Sequence, residues 1–141
     1  MCVMENLKLD NIYLDLKAES KEDAIRLAGE KLYENGYVEK NYIESMLERE
    51  KVVTTYMGMG FAIPHGTNEG KKYVKNSGVV ILQFPSGIDF EGEKAYIVLG
   101  IAGVGNEHLE ILSKVAILLD DELTEKLKES NDKSVFLETF K

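Results

Sequence analysis

The sequence predicts an α/β fold in which a mixed β-sheet is flanked by helices on both faces, giving three layers. Two near-continuous apolar runs, SGVVILQF at 77–84 and AYIVLGIAG at 95–103, are typical of strands covered on both faces. Segments with helical periodicity precede and follow these runs. Because 141 residues suffice for one hydrophobic core, we expect residues 1–141 to form a single domain.

The first element is a predicted strand in NIYLDLKA, residues 11–18. Its apolar residues Ile12, Leu14 and Leu16 alternate with polar neighbours, which is the period of a half-buried strand. We therefore expect these three side chains on one face of the sheet.

Two helices are predicted next. Ser20 and Asp23 resemble a capping box at the start of the first helix. That helix should run to about Asn35, because Gly36 is a typical helix terminator. The second helix is expected over residues 40–51.

The second half of the chain begins with the short apolar segment FAI at 61–63 and the two long strands. PSG at 85–87 has the composition of a turn between those strands. Asn106 is a predicted N-cap for a helix over 107–119. The side chains expected to face inward from this helix are Leu109, Leu112, Val115, Ala116 and Leu119. Two shorter helical segments, 121–130 and 132–140, complete the chain.

Composition excludes several classes of function. With a net charge of −8 and a pI near 4.8, most of the surface would repel nucleic acid or an anionic membrane, so we expect no nucleic-acid partner. Cys2 is the single cysteine, which fits a reducing, cytoplasmic compartment. The N-terminus lacks signal-peptide features, and the longest apolar stretch, 96–105, is too short to span a bilayer. We therefore expect a cytoplasmic protein without membrane insertion.

The most informative motif is GFAIPHGT at 60–67, which contains one of only two histidines. Pro64 restricts the backbone before His65, and Gly66 permits close approaches after it. The histidine should lie at a strand end, where α/β folds place their sites. This arrangement suits a nucleophile that must meet another molecule, although a purely structural imidazole is the alternative.

His108 and Arg49 are the other candidates. His108 is the second residue of the helix after Asn106, and a helix N-terminus favours anions and a neutral imidazole. An ordinary polar surface histidine is the alternative there. Arg49 lies near the C-terminal end of the second helix, where a cation is favoured by the helix dipole in any case.

Other chemistries find less support. The glycines at 58–63 and 100–105 do not complete a dinucleotide fingerprint, and the sequence has no P-loop, GxSxG or HExxH motif. A metal-dependent hydrolase built on His65, His108 and a carboxylate stays open, although no spacing identifies the third ligand.

Three segments together resemble the enzyme IIA component of the mannitol/fructose class of the bacterial sugar phosphotransferase system (PTS), most closely its mannitol type. They are GMGFAIPHGT at 58–67, GIAGVGNEHLEILSKVAILLDD at 100–121 and, upstream, ESMLEREKVV at 44–53. The resemblance covers nearly the whole chain. It implies a single EIIA type 2 domain over residues 1–141.

The resemblance also implies a function. His65 would accept a phosphoryl group from the histidine phosphocarrier protein HPr and pass it to a cysteine of the sugar-specific IIB component of a IIB/IIC transporter. Arg49 and His108 match positions that stabilise this group, and Nε2 would be the reactive nitrogen. Neither a metal nor another cofactor is implied. The alternatives within the family are a fructose-specific IIA and a nitrogen-related regulatory IIA protein.

HPr is a basic partner in this interpretation. An acidic and apolar surface around His65 would speed its encounter with such a protein. We therefore expect acidic residues to ring the site.

Overall fold

The computed structural model describes residues 7–140, so the expectation for Cys2 lies outside the described residues. Within this range a sheet of five strands lies between two layers of helices. The strands are β1 (Ile12–Tyr13), β2 (Tyr56–Gly58), β3 (Phe61–Ala62), β4 (Gly78–Phe90) and β5 (Glu93–Ala102). The helices are α1 (Lys21–Glu34), α2 (Tyr42–Val52), α3 (Glu107–Leu118), α4 (Asp121–Lys128) and α5 (Lys133–Phe140). The predicted three-layer α/β architecture is confirmed.

The sheet is mixed, with the strand order β1-β4-β5-β3-β2. Its centre is the antiparallel pair β4 and β5, in which Val80 lies opposite Gly100. Strand β1 runs parallel to β4, β3 runs parallel to β5, and β2 pairs antiparallel with β3. The site described below lies where β3 ends beside β5.

Alternation along the central strands divides the core into two halves. One half contains Ile81 and Leu99 and is covered by α3, α4 and α5; we call it the α3 face. The other half contains Val80 and Val98 and is covered by α1 and α2; we call it the α1 face. Because both faces are covered, the central strands are apolar on both sides, as the continuous runs predicted.

Most predicted helices are confirmed, with small changes at their ends. Helix α1 begins after Ser20, whose side chain accepts a hydrogen bond from the Asp23 amide at 3.2 Å. Asn106 is the N-cap of α3, but its side chain makes no capping hydrogen bond.

The predicted inward face of α3 is partly wrong. Val115 and Leu119 are buried as expected, with Ile111 beside them. Leu109 is 52% exposed and Ala116 is exposed as well. The apolar stripe of α3 is wider than the strip that the sheet can cover, so part of it faces solvent.

Two further predictions need correction. The strand expected over 11–18 ends at Tyr13, because Asp15 adopts a left-handed φ of 56°. Ile12 and Leu14 consequently pack on the α3 face, whereas Leu16 packs on the α1 face.

PSG at 85–87 is not the turn between the long strands. Strand β4 continues through it, and the register shift between Gln83 and Ile88 marks an irregularity in the pairing. The chain reverses at Glu91 and Gly92, both with positive φ, between the paired residues Phe90 and Glu93. This two-residue loop has the backbone signs of a type I′ hairpin turn.

Candidate active site

His65 lies just beyond the end of β3, as predicted. The Ile101 amide of β5 donates to the Pro64 carbonyl at 3.0 Å, and His65 forms an isolated parallel bridge with Ile101. The strand pairing therefore continues to the histidine and fixes its backbone against the centre of the sheet. Its side chain is half-buried.

The backbone of its own segment orients the His65 ring. Nδ1 lies 2.9 Å from the carbonyl oxygen of Ile63. Because a carbonyl oxygen only accepts hydrogen bonds, the neutral ring carries its proton on Nδ1. The lone pair is then on Nε2, the nitrogen that a nucleophilic imidazole would use.

The three predicted site residues line one groove. Its volume is about 880 Å³, and His65, His108 and Arg49 all contribute to its wall. The two imidazole rings lie 6.1 Å apart between centroids, with an angle of 33° between their planes. Residues distant in sequence, from α2, the end of β3 and the start of α3, thus face the same space.

Both histidines favour the neutral form. Burial lowers the pKa of His65, and the charges of Arg49 and His108 lower it further, against the opposing effects of the Ile63 hydrogen bond and of Glu50. Burial and the charge of Lys71 lower the pKa of His108. This direction agrees with the neutral imidazole expected for His108, and burial is its largest cause.

The His108 ring has an unusual environment at Nδ1. Among the described residues, this nitrogen is the one buried side-chain polar atom without a hydrogen-bond partner. Hydrogen bonding with the Gly105 backbone raises the pKa of the ring in part, against burial and the charge of Lys71.

The contacts of Arg49 are compatible with both roles considered from the sequence, a cation at the end of a helix and a donor to a bound phosphoryl group. Its Nη1 donates to the carbonyl of Val53, the C-cap residue of α2, at 2.8 Å. A guanidinium has further N–H donors in the same plane, and Arg49 also lines the groove beside His65. The helix-end contact thus fixes the side chain and leaves donors for an anion.

Helix α2 also holds the loop that follows His65. The Tyr42 hydroxyl accepts from the Gly66 amide at 2.8 Å and donates to the Ile101 carbonyl at 2.8 Å. Burial raises the pKa of Tyr42 to about 12, so this hydroxyl remains a donor at neutral pH. Ser45 accepts from the Thr67 amide at 2.8 Å. The Pro-His-Gly segment is therefore fastened to α2 on one side and to β5 on the other.

Gly66 is required by this close packing rather than by its backbone angle. A Cβ atom at this position would lie 2.5 Å from a Tyr42 ring carbon and 2.7 Å from Ser45 Oγ. Only glycine lets the loop approach α2 closely enough for the Tyr42 hydroxyl to reach the Gly66 amide.

Sequence reasoning missed Tyr42, Ser45 and the buried Glu50 as parts of the site. Their spacing on α2 relative to Arg49 places them near one another, but a helical pattern cannot show what they contact. Their polarity could have indicated a role, because Ser45 and Glu50 occupy buried positions of the helix and buried polar groups need hydrogen-bond partners.

The groove wall is mainly apolar. Val53, Met57 and Leu109 line it, and each is more than one-third exposed. Among the described residues, no carboxylate lines it, so the expected acidic ring does not form this wall. Within residues 7–140, no group of three His, Cys, Asp or Glu side chains is placed to hold a metal ion. No helix of this part of the chain has the length and apolar character needed to cross a bilayer.

Comparison with known proteins shows the family and agrees with the fold. Residues 5–141 match the family model described as "Phosphoenolpyruvate-dependent sugar phosphotransferase system, EIIA 2". A mannitol-specific phosphotransferase enzyme IIA component from Geobacillus stearothermophilus is 53% identical over 119 residues, covering 84% of this chain and 82% of the relative.

Solved structures show the same fold. IIA mannitol from Escherichia coli superposes with a TM-score of 0.90 at 41% identity, covering 96% of this chain and 99% of that one. A complex of enzyme IIAMTL with phosphorylated enzyme IIBMTL, also from Escherichia coli, gives a TM-score of 0.90 at 40% identity, with 96% of both chains covered.

Proposed function

Because the chain belongs to the EIIA 2 family of the phosphoenolpyruvate-dependent sugar phosphotransferase system, we propose that it relays a phosphoryl group between two proteins through His65. The donor is the phosphohistidine of HPr. The acceptor is a cysteine of the IIB component of a mannitol transporter. The protein works in the cytoplasm, where these partners meet it.

The observation that supports this proposal most directly is the hydrogen bond between His65 Nδ1 and the Ile63 carbonyl. It selects the tautomer with a lone pair on Nε2, and the lowered pKa keeps that lone pair unprotonated near neutral pH. A neutral, oriented imidazole is the form that attacks phosphorus.

The transfer balances without a cofactor. The Nε2 lone pair of His65 forms a bond to phosphorus while the P–N bond of the donor phosphohistidine breaks. The electron pair of that bond returns to the donor ring, and His65 keeps its proton on Nδ1. In the second step the IIB thiolate attacks phosphorus, and the P–N bond to His65 breaks in turn.

Arg49 and His108 stabilise the charge on the phosphoryl oxygens during both steps. The guanidinium of Arg49 supplies charged donors, and His108 supplies a ring N–H. Both side chains line the groove with His65, which supports this assignment. Positioning and preorganised donors are the main demands of phosphoryl transfer.

The sugar assignment comes from the relatives. The Geobacillus protein is named mannitol-specific, and the Escherichia coli complex pairs a IIA mannitol protein with phosphorylated IIB mannitol. We therefore assign this chain to mannitol uptake rather than to fructose uptake or nitrogen-related regulation.

Intact-mass measurement tests the relay. Wild type and His65→Ala are incubated with phosphoenolpyruvate, enzyme I and HPr. We expect one acid-labile phosphate on wild type and none on His65→Ala, while His108→Ala still accepts phosphate at a reduced rate. Unphosphorylated wild type in the presence of charged HPr contradicts the proposal.

A further inference from the structure

Glu50 is a buried carboxylate that the mechanism above does not use. It is 5% exposed and lies in the last turn of α2, where the helix dipole disfavours negative charge. Burying a charge is costly unless it is paired and hydrogen-bonded. The contacts of Glu50 must therefore offset the cost of burying its charge.

The carboxylate is fully engaged. One oxygen accepts from the Thr55 amide at 2.9 Å and from the Thr55 hydroxyl at 2.6 Å, and the other accepts from the Thr54 hydroxyl at 2.6 Å. Lys21 of α1 lies 3.6 Å away and also pairs with Glu91. Burial alone would lower the pKa of Lys21, but the hydrogen bond to Glu91 and the charge of Glu50 outweigh burial and raise it.

Further hydrogen bonds connect Thr55 to His65, the proposed nucleophile. The Thr55 carbonyl accepts from the Ile63 amide at 3.0 Å, and the Ile63 carbonyl accepts from His65 Nδ1 at 2.9 Å. Glu50 thus holds the backbone of Thr55, Thr55 holds Ile63, and the Ile63 carbonyl accepts from the His65 ring. The N–H and C=O groups of Thr55 belong to different peptide groups, as do those of Ile63, so these contacts act by positioning the backbone. The negative charge of Glu50 acts on the ring through space and raises the pKa of His65.

We propose that Glu50 is a positioning residue for His65, acting through Thr55 and the Ile63 peptide. The inference rests on the proposed phosphoryl relay. When Nε2 bonds to phosphorus, the ring gains positive character while Nδ1 keeps its proton. Glu50 stabilises that state and holds the ring in the tautomer that leaves Nε2 free. A carboxylate that orients a catalytic imidazole in serine hydrolases has the same physical role, by direct contact.

A purely structural role is the competing explanation, in which Glu50 only fastens the turn between α2 and β2. The two roles differ in their effect on the ring. A structural role changes the free energy of unfolding but leaves the tautomer and pKa of a folded His65 unchanged. A positioning role changes both.

The test uses Glu50→Gln, which keeps an acceptor oxygen for Thr55 but removes the charge. Glu48→Gln is the matched control, since Glu48 is an exposed glutamate on the same helix. If Glu50→Gln does not fold, Thr55→Val, which removes the hydroxyl that donates to Glu50, is measured against the same expectation. Folding is verified by thermal unfolding before each measurement.

The first measurement is ¹⁵N NMR of the His65 ring in the unphosphorylated protein. The titratable groups around this ring are Tyr42, Arg49 and Glu50 from α2 and His108 from α3. We expect the Nδ1–H tautomer in wild type and in Glu48→Gln. In Glu50→Gln we expect a smaller share of that tautomer and a lower pKa, because a negative charge is lost.

The second measurement is the rate of phosphoryl acceptance from phosphorylated HPr. We expect Glu50→Gln to lower the maximal rate about tenfold, the effect of one weakened charge-assisted hydrogen bond, with KM for HPr unchanged. Wild-type ring properties in folded Glu50→Gln overturn the inference, whatever its rate. Wild type that accepts no phosphate refutes the relay function instead, and the NMR comparison still decides the role of Glu50.

Discussion

At the scale of single residues, the proposed phosphoryl relay depends on one imidazole being neutral, oriented and accessible. His65 combines a half-buried ring with a hydrogen bond that occupies Nδ1. Burial and two nearby cationic or titratable groups disfavour its protonated form. The same environment that limits solvent around the ring therefore keeps the proposed nucleophile in its neutral form.

The lowered pKa values predict a pH dependence. His65 and His108 should titrate below the ordinary histidine pKa of about 6.5, so nucleophilic His65 should persist to lower pH than free imidazole. Because the unfolded chain binds these protons first, the free energy of unfolding should fall as pH drops below about 6.5. NMR titration and urea unfolding measure the two effects, and a His65 pKa above 6.5 contradicts this prediction.

Arg49→Ala tests the choice between phosphoryl stabilisation and a simple helix-end charge. We expect transfer from HPr to slow by about 10², the effect of losing one preorganised donor, while the protein stays folded. Lys51→Ala is the control, as an exposed cation in the same last turn of α2. Stopped-flow transfer at the wild-type rate in Arg49→Ala supports the helix-end role alone.

At the scale of elements, α2 organises the site more than the strand that precedes His65. Tyr42 and Ser45 bind the loop after the histidine, Arg49 lines the groove, and Glu50 connects to the segment before it. These residues occupy neighbouring turns, so one rigid helix sets the geometry of several parts of the site at once.

Tyr42→Phe isolates the contribution of one α2 contact. The substitution leaves the Gly66 amide and the Ile101 carbonyl without their shared partner, so we expect the free energy of unfolding to fall by about 1–3 kcal/mol. Phosphoryl transfer should slow as well, because the loop loses its attachment. Tyr33→Phe, on the exposed part of α1, is the control and should change neither the free energy of unfolding in denaturant nor the rate of transfer. Equal effects in both variants contradict the role of Tyr42 in holding the loop after His65.

At the scale of the whole molecule, the site lies in a groove whose exposed apolar wall could contact a partner protein. Apolar side chains of the α2–β2 turn and of α3 surround the histidines and remain exposed. A mainly apolar wall that contains a cation, Arg49, suits the two partners proposed above, which would bind to it in turn.

Leu109→Asp tests this docking surface. Leu109 is 52% exposed, so we expect folding to be retained and KM for phosphorylated HPr to rise about tenfold, as for loss of a moderate interface contact. Leu9→Asp is the control, because Leu9 is 47% exposed and does not line the groove. Steady-state transfer kinetics compare them, and an unchanged KM in Leu109→Asp places the partner elsewhere.

The amino-acid sequence by itself determined the layer architecture, most helices and the three candidate residues, because these follow from local periodicity, capping and motif spacing. His65 lies at a strand end, and His108 lies at a helix start, as those patterns predicted. Only the tertiary structure decided which ring nitrogen of His65 is held and which face of α3 is covered. It also decided that Tyr42 reaches Gly66, 24 residues away, and that Glu50 connects to His65. Such contacts depend on how segments distant in sequence pack against each other, and local sequence patterns do not show which segments will meet.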